Sequence, residues 1–453
     1  MILLPRNNFY KKILHLALPA IAGLSTQMVV SLVDTAMVGR IDEAQYALAA
    51  MGLGVLATWA LISFFSSLST GTQVLVAQTF GQKDYKACST VLNNSLIISV
   101  FIGTVVALIA IFAAYPIGHF FAADKIVGEY AGDYIFYRFL GLPFFLISVS
   151  FRGFYFGISK TKIFMYSGII TNVLNIFFNF IFIYGNFGAP RMGLAGAGLG
   201  STLATMFDFL FYSFILLLPH YRHRFQNFKE FRFDWQTIKA IFKISLPVAF
   251  QNVFILIGFL IFVAITGIIG TKEQAATQVI MSTLFISFLP CFGFGIAVQT
   301  LVGNNIGSRK FILAKIYGFE TAKIATYYTI LLGMVYIFLP RVVLLLITTD
   351  QEIISTAEPA LRIAGFAQIF YATGVVLANG LQAAGKTLFV MISEVITNLL
   401  IFVPIAYLLG VYLNNGLLYA WLALPIYIII YSSIIYIKFA RVSFKKETRN
   451  DNK

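Results

Sequence analysis

One carboxyl group stands out by its surroundings. Asp34 lies in the apolar run STQMVVSLVDTAMVGR, with no basic residue nearby in sequence to neutralise it. If that run is a membrane helix, the ionised carboxylate is costly there, and such a group is a functional candidate. A carboxyl that exchanges between neutral and charged forms can load and release a proton, or hold a cation. The alternative is a structural Asp bonded to neighbouring helices. A second run, NVLNIFFNFIFIYG, carries Asn172, Asn175 and Asn179. The last two are four residues apart and share one helix face. Together they offer carbonyl oxygens and amide donors to a partner such as Asp34, unless they serve only to hold a bundle together. The next run, GLAGAGLGSTLAT, has the small residues that close helix approach needs, and its Ser201 and Thr202 are candidates to complete a polar cluster.

Other polar groups are weaker candidates. Gln251, Asn252 and Gln278 are uncharged and are expected to line the second half of the chain. Asp208 and Glu394 lie in apolar runs but near an inner end, where contact with water or snorkelling competes with a functional reading. Arg138 and Arg362, at corresponding places near outer helix starts, read as structural anchors, and Arg152 as a snorkelling side chain. Pro19, fifteen residues before Asp34, removes a rung of the helix ladder and permits bending, or is simply tolerated near the helix start. His15, His119, His220 and His223 have no metal-ligand partners at useful spacing. Cys88 and Cys291 are far apart and suggest neither a disulfide framework nor a metal site. With no GxxxxGK[ST] and no catalytic or metal-ligating set, the chain is expected not to be an enzyme and to carry no cofactor beyond a coupling ion.

The elements that must position these residues follow from composition. Of 453 residues, 59% are hydrophobic and 11% charged, whereas soluble domains carry about a quarter charged residues. The bilayer is the solvent that suits such a chain, and in it helices satisfy their own backbone. Twelve apolar stretches long enough to span lie near 13–40, 46–79, 89–115, 131–158, 163–187, 194–219, 240–269, 275–305, 318–340, 356–384, 387–411 and 416–440. The net charge of +14 could mark a nucleic-acid binder. Its distribution speaks for a membrane topology instead. With a cytoplasmic N-terminus, the segments placed inside carry 23 of the 32 Lys+Arg and those placed outside carry 5. That asymmetry puts both termini in the cytoplasm of a multi-pass protein of the cell membrane. The longest connection, 220–243, is expected to be a solvated basic loop beside anionic lipid.

The chain also repeats. At an offset of 226, GTQVLVAQTFG (71–81) falls on AVQTLVGNNIG (297–307), Lys160-Thr161 on Lys386-Thr387, and Ile170-Thr171-Asn172 on Ile396-Thr397-Asn398. Pro19 pairs with Pro247 and Pro116 with Pro340 at nearly the same spacing. Ordered matches at one offset mark an internal duplication. The expected fold is therefore an all-α polytopic membrane protein of twelve transmembrane helices in two six-helix lobes. Six is even, so both lobes enter from the same side, related by a pseudo-two-fold axis along the membrane normal. The expected divisions are 1–219, the inter-lobe loop 220–239, 240–440 and a cytoplasmic tail 441–453.

The segments LVDTAMVGR, GTQVLVAQTFGQKD, GISKTK, NVLNIFFNFIFIYG and GLAGAGLGSTLAT together resemble the multidrug and toxic compound extrusion (MATE) family, over about residues 10 to 440. The resemblance implies Na⁺- or H⁺-driven efflux of organic, often cationic, compounds through a two-lobe cavity. It is nearest to the DinF-like branch, whose amino lobe holds a cation site. Asp34 matches that site's first-span aspartate, Asn175 its fifth-span asparagine and Ser201 a sixth-span hydroxyl. At Asn179 some relatives have aspartate, so one acid fewer is present, which tilts the coupling ion toward H⁺, with Na⁺ the alternative. The NorM-like carboxylates of spans seven and ten are absent; span seven offers Gln251 and Asn252.

The expected function is thus a proton-coupled antiporter that exports organic, often cationic or amphipathic small molecules by alternating access, as a monomer and without nucleic-acid partners. Two rivals are a lipid-linked oligosaccharide flippase of the same superfamily and a non-concentrative channel or receptor. Few cations lie deep in the spans, which argues against a pyrophosphate-binding flippase.

Overall fold

The computed structural model describes residues 7–225 and 233–447; the expectations that involve Arg6, Lys229, Arg232 and the end of the basic tail lie outside the described residues. All regular structure among the described residues is helical. In chain order come α1 (Asn7–Val38), α2 (Ala44–Gly81), α3 (Tyr85–Phe121), α4 (Lys125–Leu140), α5 (Leu142–Gly157), α6 (Thr161–Tyr184), α7 (Leu194–Leu217) and the short α8 (Pro219–Phe225). The second half follows with α9 (Trp235–Ile269), α10 (Thr271–Gly307), α11 (Phe311–Phe338), the short α12 (Pro340–Leu345), α13 (Gln351–Ala383), α14 (Thr387–Thr397) and α15 (Val403–Tyr407). It ends with α16 (Leu417–Trp421), α17 (Ala423–Arg441) and α18 (Phe444–Glu447).

Eleven helical stretches are each long and apolar enough to cross a membrane, and the bent pair α4–α5 makes a twelfth. The sequence stretch 131–158 thus corresponds to two helices that meet at 47°. Pro143 explains the break. It sits in the first turn of α5, has no N–H to offer the Phe139 carbonyl, and its ring crowds that carbonyl. The eleventh stretch, Thr387–Tyr412, also departs from a plain helix: Asn398–Phe402 and Leu408–Tyr412 are π-helical. Pro404 lies between them and cannot bond back to Leu400. Large side chains such as Phe101, Phe112, Phe120, Leu331, Phe338 and Leu400 point away from the helix contacts, as lipid-facing positions require.

The repeat extends to backbone detail. Lys83 and Arg309 both take a left-handed conformation, as do Ser159 and Gly385, each pair at the offset of 226. Each of these residues ends a helix in the same way. The Asp84 amide bonds the Thr79 carbonyl at 3.1 Å, and Lys310 bonds Asn305 at 2.8 Å. Likewise Lys160 bonds Tyr155 at 2.8 Å, and Lys386 bonds Leu381 at 3.0 Å. These six-residue closures satisfy carbonyls that the helix end would leave open.

Packing divides the chain into two compact units. One spans Ala22–Ala249; the other holds the described residues up to Ile21 together with those from Phe250 onward. Both cuts fall inside helices, two residues after Pro19 in α1 and two after Pro247 in α9. Accordingly Ile13, Leu16 and Ala17 pack in one core with Phe262, Leu284, Leu377 and Phe439. The start of the basic connection is more ordered than a solvated loop. Phe225 is buried against Phe154 and Tyr85, and the Arg224 guanidinium lies over Tyr85, 4.5 Å from the ring centre.

At the other end of that connection, Asp234 caps α9. Its carboxylate accepts the Thr237 hydroxyl and the amides of Gln236 (3.1 Å) and Thr237 (3.2 Å), and its own amide donates to Asn94 Oδ1 at 2.9 Å. The Thr237 hydroxyl first, then these amides, hold the carboxyl below the usual carboxylate range, against a smaller opposing effect of burial. A depressed folded-state pKa contributes stability above the unfolded pKa, and the contribution is lost as pH falls through the folded one. Asp234→Ala should therefore cost about 1 kcal/mol near neutral pH. Thermal unfolding in detergent should show the gap between wild type and variant closing below about pH 4.

Candidate functional site

Three helices of the Ala22–Ala249 unit, α1, α6 and α7, bring the sequence candidates together. Asp34, half-buried one turn before the end of α1, accepts a hydrogen bond from Asn179 Nδ2 at 2.7 Å. The same Asn179 nitrogen donates to Asn175 Oδ1 at 3.3 Å, and Asn175 Nδ2 donates to Ser201 Oγ at 3.1 Å. Asn175, Asn179 and Ser201 are buried. The donors radiate from Asn179. Its Nδ2 donates to the Asp34 carboxylate and to Asn175, and Asn175 passes a donor on to Ser201 of α7. A hydrogen bond to an ionised group contributes about 1.5–3 kcal/mol, more than one between neutral partners.

Close helix approach makes this possible. Gly200 lies against Asn179: a Cβ there would stand 2.3 Å from Asn179 Oδ1 and 3.1 Å from its backbone nitrogen. Asn179 Oδ1 is itself buried without a hydrogen-bond partner among the described residues. The site thus has an unspent acceptor oxygen beside its carboxylate.

The fold also adds groups that sequence reading placed elsewhere. Arg138, on α4, acts electrostatically on Asp34, and both charges act on Tyr134 one turn earlier. No ion pair within 4.0 Å joins Arg138 to Asp34 among the described residues, and Arg138 Nε is buried without a partner. Arg138 is therefore a through-space counter-charge and not just an outer anchor. Its signal in the sequence was its position, a cation inside an apolar span one turn from a tyrosine.

The other candidates fall outside this cluster. Thr202 donates to the Tyr137 carbonyl at 2.6 Å and so ties α7 to α4. Asn172, half-buried, has an Nδ2 that finds no partner. Asp208 accepts from the hydroxyls of Ser167 and Thr171, the latter at 3.2 Å, also on α6. Arg152 stacks on Phe145, 5.4 Å from the ring centre. Pro19 is buried inside α1, which continues through it.

In the other unit, Gln251 is buried and accepts from Gln382 at 3.2 Å; Asn252 is half-buried and Gln278 exposed, so the three do not form one cluster. Glu394 departs most from expectation. It is only 3% exposed, covered by Tyr427, which hydrogen-bonds it, so it neither snorkels nor meets bulk water. The Asp34 site has no copy here. In the register set by Pro19 and Pro247 its place is taken by Phe262, and Ser201 is replaced by Tyr427 at the offset of 226. Aromatic packing fills that position: Phe262 meets Phe402 at 4.8 Å and Trp421 at 5.1 Å between ring centres.

The sequence profile of the MatE family matches residues 19–181 and, a second time, residues 247–408. The chain belongs to the MatE family. Both matches begin at the paired prolines, so the duplication is a property of the family's own repeat. The chain is 27% identical over 427 residues to the probable multidrug resistance protein NorM of Thermotoga maritima, covering 94% of this chain and 90% of that one. It is 25% identical over 416 residues to the multidrug resistance protein MdtK of Photorhabdus laumondii, covering 88% and 87%. A crystal structure of a MATE protein in the bent conformation superposes with a TM-score of 0.89 at 20% identity, covering 98% of this chain and 97% of that one. That likeness shows the shared two-lobe fold. The protein is thus a multi-pass membrane transporter of the MATE multidrug efflux family and not an enzyme.

Gly200 offers a steric test of the MATE site. Gly200→Ala should push Asn179 off Asp34 and lower transport at least about tenfold, the equivalent of losing one hydrogen bond to a charge. Gly52→Ala, where a Cβ would meet nothing within 4 Å, should leave dye efflux from vesicles unchanged.

Proposed function

We propose that this MATE protein is a proton-coupled antiporter that exports organic, often cationic or amphipathic compounds across the cell membrane by alternating access. Both termini lie in the cytoplasm, as the excess of Lys and Arg in the inner segments favours. Asp34 is the coupling carboxyl, and a single chain is the working unit.

The observation that carries the reading is the state of Asp34. It is half-buried, receives one amide hydrogen bond, and is outside ion-pair distance of any cation among the described residues. Its charge is therefore supported but not cancelled. When ionised it attracts a cationic substrate and accepts from Asn179. When a proton binds from outside, the attraction for the substrate ends and Arg138 is left as an unbalanced positive charge beside it. Both effects work against a bound cation, so proton entry and substrate release are linked. The wall residues that surround such a cavity in an apolar bundle discriminate weakly among hydrophobic molecules, which suits broad selectivity.

One feature favours Na⁺ as a second reading. Asp34, Asn175, Asn179 and Ser201 are all oxygen-bearing, and Asn179 Oδ1 is unspent. Hard cations take such ligands.

Asp34→Asn should reduce gradient-driven efflux of a cationic dye from proteoliposomes to background while the protein still inserts and unfolds at a near-normal temperature. An imposed pH gradient should drive wild-type efflux without Na⁺. Efflux that needs Na⁺ and ignores the pH gradient would select the second reading, and unaltered efflux by the variant would remove Asp34 from the coupling step.

A further inference from the structure

The unit that contains α10–α17 buries a polar cluster that the Asp34 scheme does not use. At its centre is Glu394 on α14. Tyr427 from α17 hydrogen-bonds its carboxyl group, and Tyr431 from α17 and Gln251 from α9 act on it as further polar neighbours. Behind Gln251 stand two more amides. Gln382 Nε2 of α13 donates to Gln251 Oε1 at 3.2 Å, and Gln299 Nε2 of α10 donates to Gln382 Oε1 at 3.3 Å. Each of these side chains is less than a tenth exposed. A buried polar network drawn from α9, α10, α13 and α17 thus surrounds one carboxyl group.

Among the described residues no cation lies within ion-pair distance of it. The titratable groups that face Glu394 are phenols, Tyr427 and Tyr431 from α17 and Tyr371 from α13, with the Cys291 thiol of α10 beyond Tyr371. Of the cations on helices of this unit, Lys438 of α17 lies over the Phe389 ring at 4.6 Å, and Lys323 of α11 pairs with Glu320 at 2.9 Å. Two opposing demands therefore meet at one group. Burial without an ion-pair partner makes a charge there costly, while the Tyr427 hydroxyl and its polar neighbours are placed to support one. A carboxyl group held permanently neutral has no need of so many donors, and one held permanently ionised needs a cation.

A second observation comes from the next turn. Asn398, four residues on, is fully buried, and neither its amide nitrogen nor its oxygen has a partner among the described residues. It is admitted by Gly258 of α9, where a Cβ would stand 1.6 Å from Asn398 Oδ1. Asn398 also opens the π-helical stretch, a local irregularity often found at functional sites. An orphaned buried amide beside a buried acid marks a place built for exchange of a small polar partner rather than for packing alone.

We propose that Glu394 is a second proton-binding carboxyl of this transporter, loaded and unloaded during the transport cycle independently of Asp34. The proton adds to a carboxylate oxygen and neutralises it; on release, the carboxylate is held by Tyr427, Tyr431 and Gln251. The site is not the Asp34 site repeated, since the offset of 226 sets Glu394 against Gly168.

Carbodiimide modifies carboxyl groups only in their protonated form, so labelling of the purified full-length protein reads the site without reference to transport. Mass spectrometry should find a Glu394 adduct that fades as pH is raised. The same curve is expected in Asp34→Asn, which separates failure of this site from failure of the Asp34 scheme. Tyr427→Phe removes one donor to the ionised form and should keep Glu394 labelled to higher pH. In proteoliposomes, Glu394→Gln should retain dye efflux but lose one proton per dye, so that a pH gradient of about one unit sustains about tenfold less dye accumulation. A Glu394 that stays unlabelled, or is labelled equally at every pH, overturns the proposal. So does an unchanged proton-to-dye ratio in Glu394→Gln.

Discussion

A carboxyl group inside a membrane bundle must find all of its support within the protein, because lipid offers neither hydrogen bonds nor counter-ions. The 2.7 Å bond from Asn179 to Asp34 is the local answer to that constraint, and much of the surrounding architecture follows from it. The bond needs α6 and α7 close enough for Asn179 to sit over Gly200. It needs Asn175 a turn away to fix the orientation of the Asn179 amide, and Ser201 to receive the Asn175 donor. It also needs α4, broken from α5 at Pro143, to set Arg138 near the acid without closing an ion pair. A full salt bridge would cancel the charge, and bare burial would leave it without support. The geometry lies between these limits.

The two halves share a scaffold and differ in what they bury. Their repeat is kept where the backbone must turn: Lys83 with Arg309, and Ser159 with Gly385, in matching left-handed closures. Those positions answer to helix geometry, which does not depend on function. Inside the helices the contents diverge. Where one half places Asp34, the other places Phe262 in tilted contact with Phe402 and edge-on contact with Trp421. An aromatic group satisfies its surroundings by contact alone and imposes no demand for donors, so the second half is free to put its acid elsewhere.

Much of this was legible in the sequence. Hydropathy gave the span count, because long apolar runs have few alternatives in lipid, and the offset of 226 exposed the duplication. Asp34, Asn175, Asn179 and Ser201 were legible as one group because the i, i+4 spacing fixes a shared face and an isolated acid asks for a partner. Three features were hidden. The bend at Pro143 was masked by an uninterrupted apolar run. Arg138 is more than a hundred residues from Asp34, and only the packing of α4 brings its charge to bear. Glu394 looked like a group near an inner helix end, because distance along a helix says nothing about what covers it; Tyr427 and Tyr431 arrive from another helix. The partition at Ile21 and Ala249 was hidden for a related reason, since sequence similarity follows descent whereas packing follows contact.

The register of the repeat adds a last consequence. Asn179, the donor to Asp34, corresponds to Ile405 at the offset of 226, and Glu394 lies eleven residues before that position. At 1.5 Å per residue this is about 16 Å along a helix, half the hydrocarbon thickness of a bilayer. Within its own repeat, then, each half carries its acid at a different level, Asp34 toward the end of α1 and Glu394 toward the start of α14. Carboxyl groups at one level would meet the same side of the membrane in the same state. Under the alternating-access scheme proposed above, groups at two levels would meet water at different stages, so their protons would not have to be taken up or released together. On that scheme, a duplicated fold whose acids have moved apart would separate two ionisation steps that a symmetrical one would be forced to make at once.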